Sequence, residues 1–342
     1  MILVTGNLGY IGRIMTRYLG KVGFDVLGVD AGFYKENLFY EDSFPPARQL
    51  YKDIRDVEEK DLEGVEAVIH LAALSTDFLG EMNPALTHDI NGMATWELAR
   101  KAKNAGVERF IFSSSCSLYG VSDDSQAIIE TGKLNPITAY AKAKARAEDE
   151  IAKLADDSFH PVFMRNATVY GLSPALRLDL VLNIMTADAL LKKKITVFSD
   201  GAHWRPMVHV EDLCRAFTCA LQAPAQTIHN QAINVGITEE NFQVREIAEK
   251  VKESLPYPEI EIVFVPGEGG RTYRVDCSKI QKVLPSFKPQ WNLQKGIEEL
   301  HKAYLEKKLS LEGMASGKYF RIGCIKDLMK RGRLDDDLRW KN

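Results

Sequence analysis

Ile2-Leu3-Val4-Thr5-Gly6-Asn7-Leu8-Gly9-Tyr10-Ile11-Gly12 decides the fold. Ile2 to Thr5 reads as a strand. Tyr10 to Val22 then reads as a helix, with Ile11, Ile14, Met15, Tyr18 and Leu19 on one face. Between them Gly6 permits a tight turn, Gly9 lets the backbone approach a pyrophosphate at the positive helix N-terminus, and Gly12 lets helix and strand pack closely. A glycine triplet alone is a weak signal, because a merely tight βα turn also uses one. Its place directly after the first strand strengthens the nucleotide reading. On that reading Gly6, Asn7, Leu8, Gly9, Tyr10, Ile11 and Gly12 form a cofactor turn.

Outward from this turn the pattern alternates. Asp25–Val29, Gln49–Tyr51, Ala67–Leu71, Arg109–Ser113 and Pro161–Arg165 read as further strands, and Ala94–Asn104 and Thr138–Leu154 as helices. Alternating β and α elements predict an α/β fold, a Rossmann-type doubly wound parallel sheet with helices on both faces. Past about residue 170 proline, tryptophan and irregular loops become commoner, among helices at Leu178–Leu191, Val210–Leu221, Val244–Ser254 and Leu293–Leu305. The expected division is a nucleotide-binding domain over 1–170, with the chain crossing back to it later, then a smaller mixed C-terminal substrate lobe over 171–308. A C-terminal extension over 309–342 has no role that its sequence suggests.

Composition narrows the classes. The chain has 342 residues, 45% hydrophobic and 27% charged, with a net charge of −3. No basic excess argues for nucleic acid. Cysteines at 116, 214, 219, 277 and 324 form no CxxC pair and have no histidine at metal-ligand spacing, so they read as reduced thiols with no metal. Met1 runs straight into a strand rather than a leader, and no apolar run is long enough for a bilayer. A soluble cytoplasmic protein is expected.

Asp30 closes the second strand, eighteen residues after Gly12, where an acid meets the adenosine ribose hydroxyls and repels a 2′-phosphate. No arginine follows within several positions, so NAD is favoured over NADP. Asp53 and Ile54, after the third strand, could flank the adenine or simply be solvated. Tyr140 and Lys144, four apart, share a helix face. A phenol is a poor base at neutral pH, and a nearby ammonium together with the nicotinamide charge would lower its pKa toward working range. Lys142, at i+2, faces away. Phe110 to Ser115 runs from an apolar strand into hydroxyls at the sheet's carboxyl edge, where one serine can hydrogen-bond a reacting oxygen.

These signals appear in order along one α/β pattern. With them the sequence resembles the extended short-chain dehydrogenases that act on nucleotide sugars, over roughly residues 1 to 305. The resemblance rests on the glycine turn, Lys52-Asp53-Ile54-Arg55-Asp56, Val68-Ile69-His70-Leu71-Ala72-Ala73, the serine run ending Leu118-Tyr119-Gly120, and Tyr140-x-x-x-Lys144. Arg165-Asn166-Ala167-Thr168-Val169-Tyr170-Gly171, the stretch from Asp200 to Asp212 and the stretch from Arg271 to Lys279 extend it. It implies Tyr140 as acid/base, Lys144 as its partner and ribose anchor, and Ser115 as the third catalytic member. Leu71, Ala72, Ala73, Asn91 and Ser113 would join the cofactor pocket. Ser75, Ser115 and Asn166 would face the substrate, and Arg205 and Arg271 would contact its diphosphate. It also implies a homodimer through Ala94–Asn104 and Thr138–Leu154.

One departure bears on the reaction. Dehydratases of this family carry an Asp-Glu pair after the catalytic hydroxyl, and decarboxylating members carry a carboxylate at the second position. This chain has Cys116-Ser117. The resemblance therefore implies C4 epimerisation of a nucleotide sugar through a transient ketone. A 4-dehydrogenase, an unusual dehydration using Cys116 as a proton-transfer group, and an NAD(P)H-linked reductase of a non-nucleotide carbonyl stay open. So does a silent dinucleotide-sensing protein, against which the intact Tyr, Lys and Ser set argues.

Overall fold

The structure is a computed structural model and describes residues 1–42, 48–122, 126–267 and 270–341. The leading apolar run forms β1 (Ile2–Thr5). The βα pattern behind it yields β2 (Val26–Asp30), β3 (Arg48–Tyr51), β4 (Ala67–His70), β5 (Arg109–Ser115) and β6 (His160–Asn166). Then come β7 (Thr168–Tyr170), β8 (Lys194–Phe198), β9 (Trp204–His209), β10 (Gln231–Val235), β11 (Asn241–Gln243) and β12 (Glu261–Val265). Seven strands make one sheet in the order β10-β6-β5-β4-β1-β2-β3, every pairing parallel. The order reverses between β1 and β4, which opens a crevice beyond their carboxyl ends.

Strand side chains alternate between faces, so each face gets its own cover. Ile2, Val4, Ala67 and Ile69 pack with Ile14 and Leu19 of helix Tyr10–Lys21 and with Leu213 and Phe217 of helix Val210–Gln222. Leu3, Leu27, Val29 and Val68 face the other way, onto Leu98 and Ala102 of helix Thr95–Asn104 and Ala147 and Ile151 of helix Ala139–Ala152.

A second core gathers Leu182, Ile247, Ile297 and Tyr304 from helices Val181–Lys192, Val244–Ser254 and Leu293–Glu306. Two small sheets flank it. In one, β9 runs antiparallel to β11 and parallel to β7; in the other, β8 and β12 are parallel. The four helices expected past residue 170 are present. The six strands β7 to β12 are not what irregular loops among helices had suggested. Each has three to six residues, too few for a period to stand out, and in Trp204–His209 the last four are all buried. β10 carries the chain back to the edge of the main sheet beside β6.

Three helix starts move, the one expected from Thr138 by a single residue to Ala139, with Thr138 as its cap. The expected helix from Ala94 begins at Thr95, on the end of a π-helical turn at Asp89–Ala94. The one expected from Leu178 begins at Val181, because Arg177 ties back to Asp179 in a loop, Nε to Oδ1 at 2.8 Å. Beyond 309 the chain forms helices Leu311–Ala315 and Arg321–Lys330 and folds back toward the crevice. There Ile325, Leu334 and Leu338 share a buried cluster with Ile54, Leu74 and Ile90. Among the described residues no helix is long and apolar enough to cross a membrane.

Candidate active site

At the crevice the chain leaves β1 and turns at Gly6, with φ +68°; a Cβ there would lie 2.8 Å from the Ala72 amide nitrogen. A Cβ on Gly12 would lie 2.1 Å from the Gly6 carbonyl oxygen. Both positions therefore exclude any side chain, and the free N–H groups opening helix Tyr10–Lys21 are brought to a cleft. Gly6, Gly9, Tyr10, Ile11 and Gly12 form one wall. Asp30, Asp53 and Ile54 come from the ends of the next two strands, and Leu71, Ala72 and Ala73 follow β4.

Three residues expected at the cofactor lie elsewhere. Asn7 is buried under the turn and donates to Gln49 Oε1 at 2.7 Å. Leu8 gives its backbone N–H to Asp30 Oδ2 at 3.0 Å. Asn91 accepts from the Leu74 N–H at 2.8 Å and donates to the Leu74 carbonyl at 3.0 Å, fixing the loop that carries Ala72 and Ala73. Asp30 also accepts the Gly32 N–H at 2.7 Å; burial pushes its carboxyl pKa up, against the pull of both amides. Burial would raise Asp53 too, but the Arg55 hydrogen bonds and guanidinium charge hold it below the ordinary carboxylate value.

A second cleft continues from the first, sharing Tyr10, Ile11, Leu71, Ala73, Ser75 and Arg177 with it. Ser113, Ser115, Tyr140, Lys144 and Asn166 line it, as do Arg205 and Arg271. Thr138 caps the helix that carries Tyr140, its Oγ1 accepting from the Ala141 N–H at 3.2 Å and donating to Asp77 Oδ1 at 2.9 Å. The Ser115 hydroxyl faces the same cleft as the Tyr140 phenol and pulls its pKa down. Lys144 Nζ donates to the Ser113 carbonyl at 2.8 Å and stands 5.9 Å from the Tyr140 ring centre.

The electrostatics correct one expectation. Lys144 was expected to lower the phenol; instead burial, then Asp77, pushes Tyr140 up to about 12, with Ser115, Arg271 and Arg177 pulling the other way. The reason lies in Lys144 itself. Burial pulls the ammonium down to about 7, with Glu148 opposing, so at neutral pH it is a weak source of positive charge. A cationic nicotinamide bound beside the phenol would pull it further down.

This lysine carries a pH signature. Its folded pKa, about 7, lies below the ordinary 10.5, so the unfolded chain binds the extra proton between those values. The group's cost to stability is full below pH 7 and fades as pH rises toward 10.5. Each tenfold loss of proton affinity on folding is worth about 1.4 kcal/mol, so Lys144→Met should gain a few kcal/mol relative to the parent at pH 7 compared with pH 10. Chemical unfolding at both pH values measures this, and an equal difference at the two would contradict it.

Behind Lys144, Glu148 accepts from Arg165 Nη2 at 2.7 Å and from Nε at 3.1 Å on each carboxylate oxygen, and also from the Ser114 hydroxyl. The buried pair ties helix Ala139–Ala152 to β6. Asn166 Nδ2 donates to Ser113 Oγ at 2.9 Å, while its buried Oδ1 has no partner among the described residues. Arg205 donates to the carbonyls of Trp204, at 2.7 Å, and Arg271; Arg271 pairs with Asp77 at 2.6 Å. Ser75 accepts from Arg177 at 3.3 Å.

Cys116 is not brought to the chemistry. Its Sγ donates to the Arg165 carbonyl at 3.1 Å, packs among Tyr119, Tyr273 and Cys277, and lines neither cleft. Burial pushes the thiol far above its ordinary pKa. The sequence reading missed Asp77, Arg177 and Arg321. Asp77 follows a capping threonine in a six-residue helix, Arg177 sat one residue before the expected helix, and Arg321 lies in a stretch with no motif.

The first cleft suits a dinucleotide. A helix N-terminus, the Asp30 carboxyl at the end of β2, the apolar side chains of Ile54 and Leu71 and two arginines converge there. Residues 2–236 match the family described as "NAD dependent epimerase/dehydratase family". UDP-glucose 4-epimerase of Lactobacillus helveticus is 31% identical over 317 residues, covering 84% of this chain and 92% of that protein. Among solved structures, UDP-glucose 4-epimerase from Thermotoga maritima with UDP-glucose superposes with TM-score 0.77 at 26% identity, covering 90% of this chain and 99% of that one. MoeE5 in complex with UDP-glucuronic acid and NAD shares the fold, with TM-score 0.78 at 24% identity over 89% of this chain and 99% of that one.

Proposed function

Because the chain belongs to the NAD dependent epimerase/dehydratase family, we propose that this NAD-dependent enzyme inverts C4 of a nucleotide sugar through a transient 4-ketone. UDP-glucose is the first substrate to try, since relatives named for that activity match over most of their length. One observation favours epimerisation over dehydration or decarboxylation. Among the described residues the carboxylates lining the substrate cleft are Asp77 and Asp179, each paired with an arginine, at 2.6 and 2.8 Å. The positions after Ser115 hold a buried thiol and a buried hydroxyl.

NAD, which the glycine turn, Asp30 and Leu71 would hold, would supply a reversible hydride acceptor for the carbinol carbon. Tyr140 takes the hydroxyl proton as the carbonyl forms and gives it back on reduction, and Ser115 holds the reacting oxygen. Lys144 anchors the ribose and orients the phenol. Asn166 Oδ1, already buried, offers an acceptor to a ligand N–H or hydroxyl. Arg205 and Arg271 hold the diphosphate at a fixed point while the keto sugar turns to present its other face. Inversion therefore needs no acid or base beyond Tyr140.

Two arginine variants test the anchor. Arg205→Ala and Arg271→Ala should each raise the inhibition constant for UDP about 10- to 100-fold, the worth of a charged hydrogen bond, while bound NAD is unchanged. Unchanged UDP inhibition in both would remove the diphosphate assignment. The activity itself is tested by incubating nucleotide sugars with the protein in deuterated water, read by mass spectrometry and proton NMR. C4 inversion without deuterium at C3 or C5 supports the reading. Net NADH formation would indicate a dehydrogenase, and no conversion of any nucleotide sugar would overturn it.

The assembly reading is a homodimer. Helices Thr95–Asn104 and Ala139–Ala152 lie against each other, and Trp96, Arg146 and Glu150 line a groove between them. Two such pairs would form a four-helix bundle, and sedimentation would report the dimer mass. Five free cysteines, all buried, suit a reducing cytoplasmic setting.

A further inference from the structure

We propose that Arg321, on the C-terminal segment, is a ligand of the cofactor's phosphates, and that residues 321–340 form the outer wall that keeps the dinucleotide in its cleft. The inference rests on the reading of that cleft as the NAD site.

Arg321 is 2% exposed, an unusual burial for a guanidinium. Its Nη2 donates to the Ala175 carbonyl at 3.0 Å, and its plane lies over the Tyr34 ring at 4.1 Å. Its Nη1 is buried with no partner among the described residues. The side chain lines the same cleft as Gly9, Tyr10 and Ile11. A buried donor left unmet on a charged group is costly, and such groups are found where a ligand completes them.

The ligand's charge follows from the surroundings. Arg177, also buried, lines the same cleft. Burial and the Arg177 charge both disfavour protonated Arg321. The nearby carboxylate, Asp179, is already paired with Arg177. The first turn of helix Tyr10–Lys21 brings a further positive end to the cleft. Asp179 answers Arg177, and of the carboxyls lining the cavity Asp53 is held by Arg55 and Asp30 takes the Leu8 and Gly32 amides, so the unmet Arg321 donor and the helix N-terminus are left to receive an anion. The pyrophosphate of a dinucleotide supplies two negative charges and acceptors in the geometry a guanidinium fork matches.

The rest of the segment is fastened where the cofactor's adenosine end would lie. Trp340 Nε1 donates to the Ala31 carbonyl at 2.6 Å, one residue after Asp30. Arg55 Nη2 donates to the Asp337 carbonyl at 2.9 Å, and Arg339 pairs with Asp56 and stands 3.7 Å from Asp53. Ile325, Leu334 and Leu338 bury themselves beside Ile54 and Ile90. Cofactor exchange would have to break these contacts. An enzyme that regenerates its cofactor within each turnover has no need of that exchange.

The test measures binding rather than turnover. Calorimetry on cofactor-stripped full-length protein would compare NAD, ADP-ribose and adenosine for the parent, Arg321→Gln, Arg321→Lys and Asp30→Ala. Arg321→Gln should weaken NAD and ADP-ribose about 10- to 100-fold and leave adenosine unchanged, with Arg321→Lys in between. Asp30→Ala should weaken all three. Loss in Asp30→Ala but none in Arg321→Gln would overturn the phosphate role while the cleft reading stands. No loss in either would remove the cleft reading. Should Arg321→Gln fail to fold, trypsin decides on the parent. NAD and ADP-ribose should slow cleavage at the exposed Lys326, Lys330 and Arg331 more than adenosine does, and a rate that NAD leaves unchanged would overturn the wall.

Discussion

Tyr140→Phe should lower turnover by about 10²- to 10⁴-fold, the usual worth of a positioned acid/base, in a protein that still folds and still holds NAD. The phenol oxygen is lost while the ring and its packing remain. No neighbour can substitute. The Ser115 hydroxyl already accepts from the Ser117 N–H at 3.1 Å, and Lys144 Nζ points at the Ser113 carbonyl. Asp77 is held by Arg271 and by Thr138. Steady-state rates, with NAD content measured after denaturation, separate a lost proton donor from a lost cofactor. Retention of more than a tenth of the parent rate would mean that another group moves the proton.

Arg165→Met should cost about 3–5 kcal/mol of stability, because it leaves the Glu148 carboxylate buried without its partner. Glu148 and Arg165 keep only 6% and 8% of their side-chain surface exposed, and three of the four hydrogen bonds on the carboxylate come from that one guanidinium. The companion change Glu148→Gln should recover part of the loss, since the double variant no longer buries a lone charge. Because this pair ties the Tyr140 helix to β6, the single variant should also lose turnover, through the helix that carries the phenol. Chemical unfolding of the parent, both singles and the double gives the coupling. A single-variant cost under 1 kcal/mol would show that the charge escapes to water.

Both residues come from motifs visible in the chain, but they were visible to different degrees. The glycine turn, Asp30 and the Tyr140/Lys144 pair are local features, where spacing alone sets geometry. The structure brings Gly6, Asp30 and Leu71 to one cleft and Ser115, Tyr140 and Lys144 to the next. Asn7 and Cys116 misled because a residue's place in a motif does not fix which way its side chain turns. Asn7 reaches under the turn to Gln49, and Cys116 turns to the Arg165 carbonyl. Arg177 and Arg321 were illegible for a different reason. Their place beside Tyr10 depends on contacts more than 160 residues apart in sequence, such as that of Ser173 Oγ with the Tyr10 carbonyl. The strands β7 to β12 stayed hidden because runs of three to six residues are too short for a period to stand out.

The central claim is reversible hydride transfer at C4 within one closed site. UDP-glucose bearing deuterium at C4, incubated with the holoenzyme in ordinary water and followed by NMR, tests it most directly. The expected product is inverted at C4 with its deuterium still on that carbon and no net reduced cofactor. An inverted product carrying protium at C4, or stoichiometric reduced nicotinamide, would contradict it.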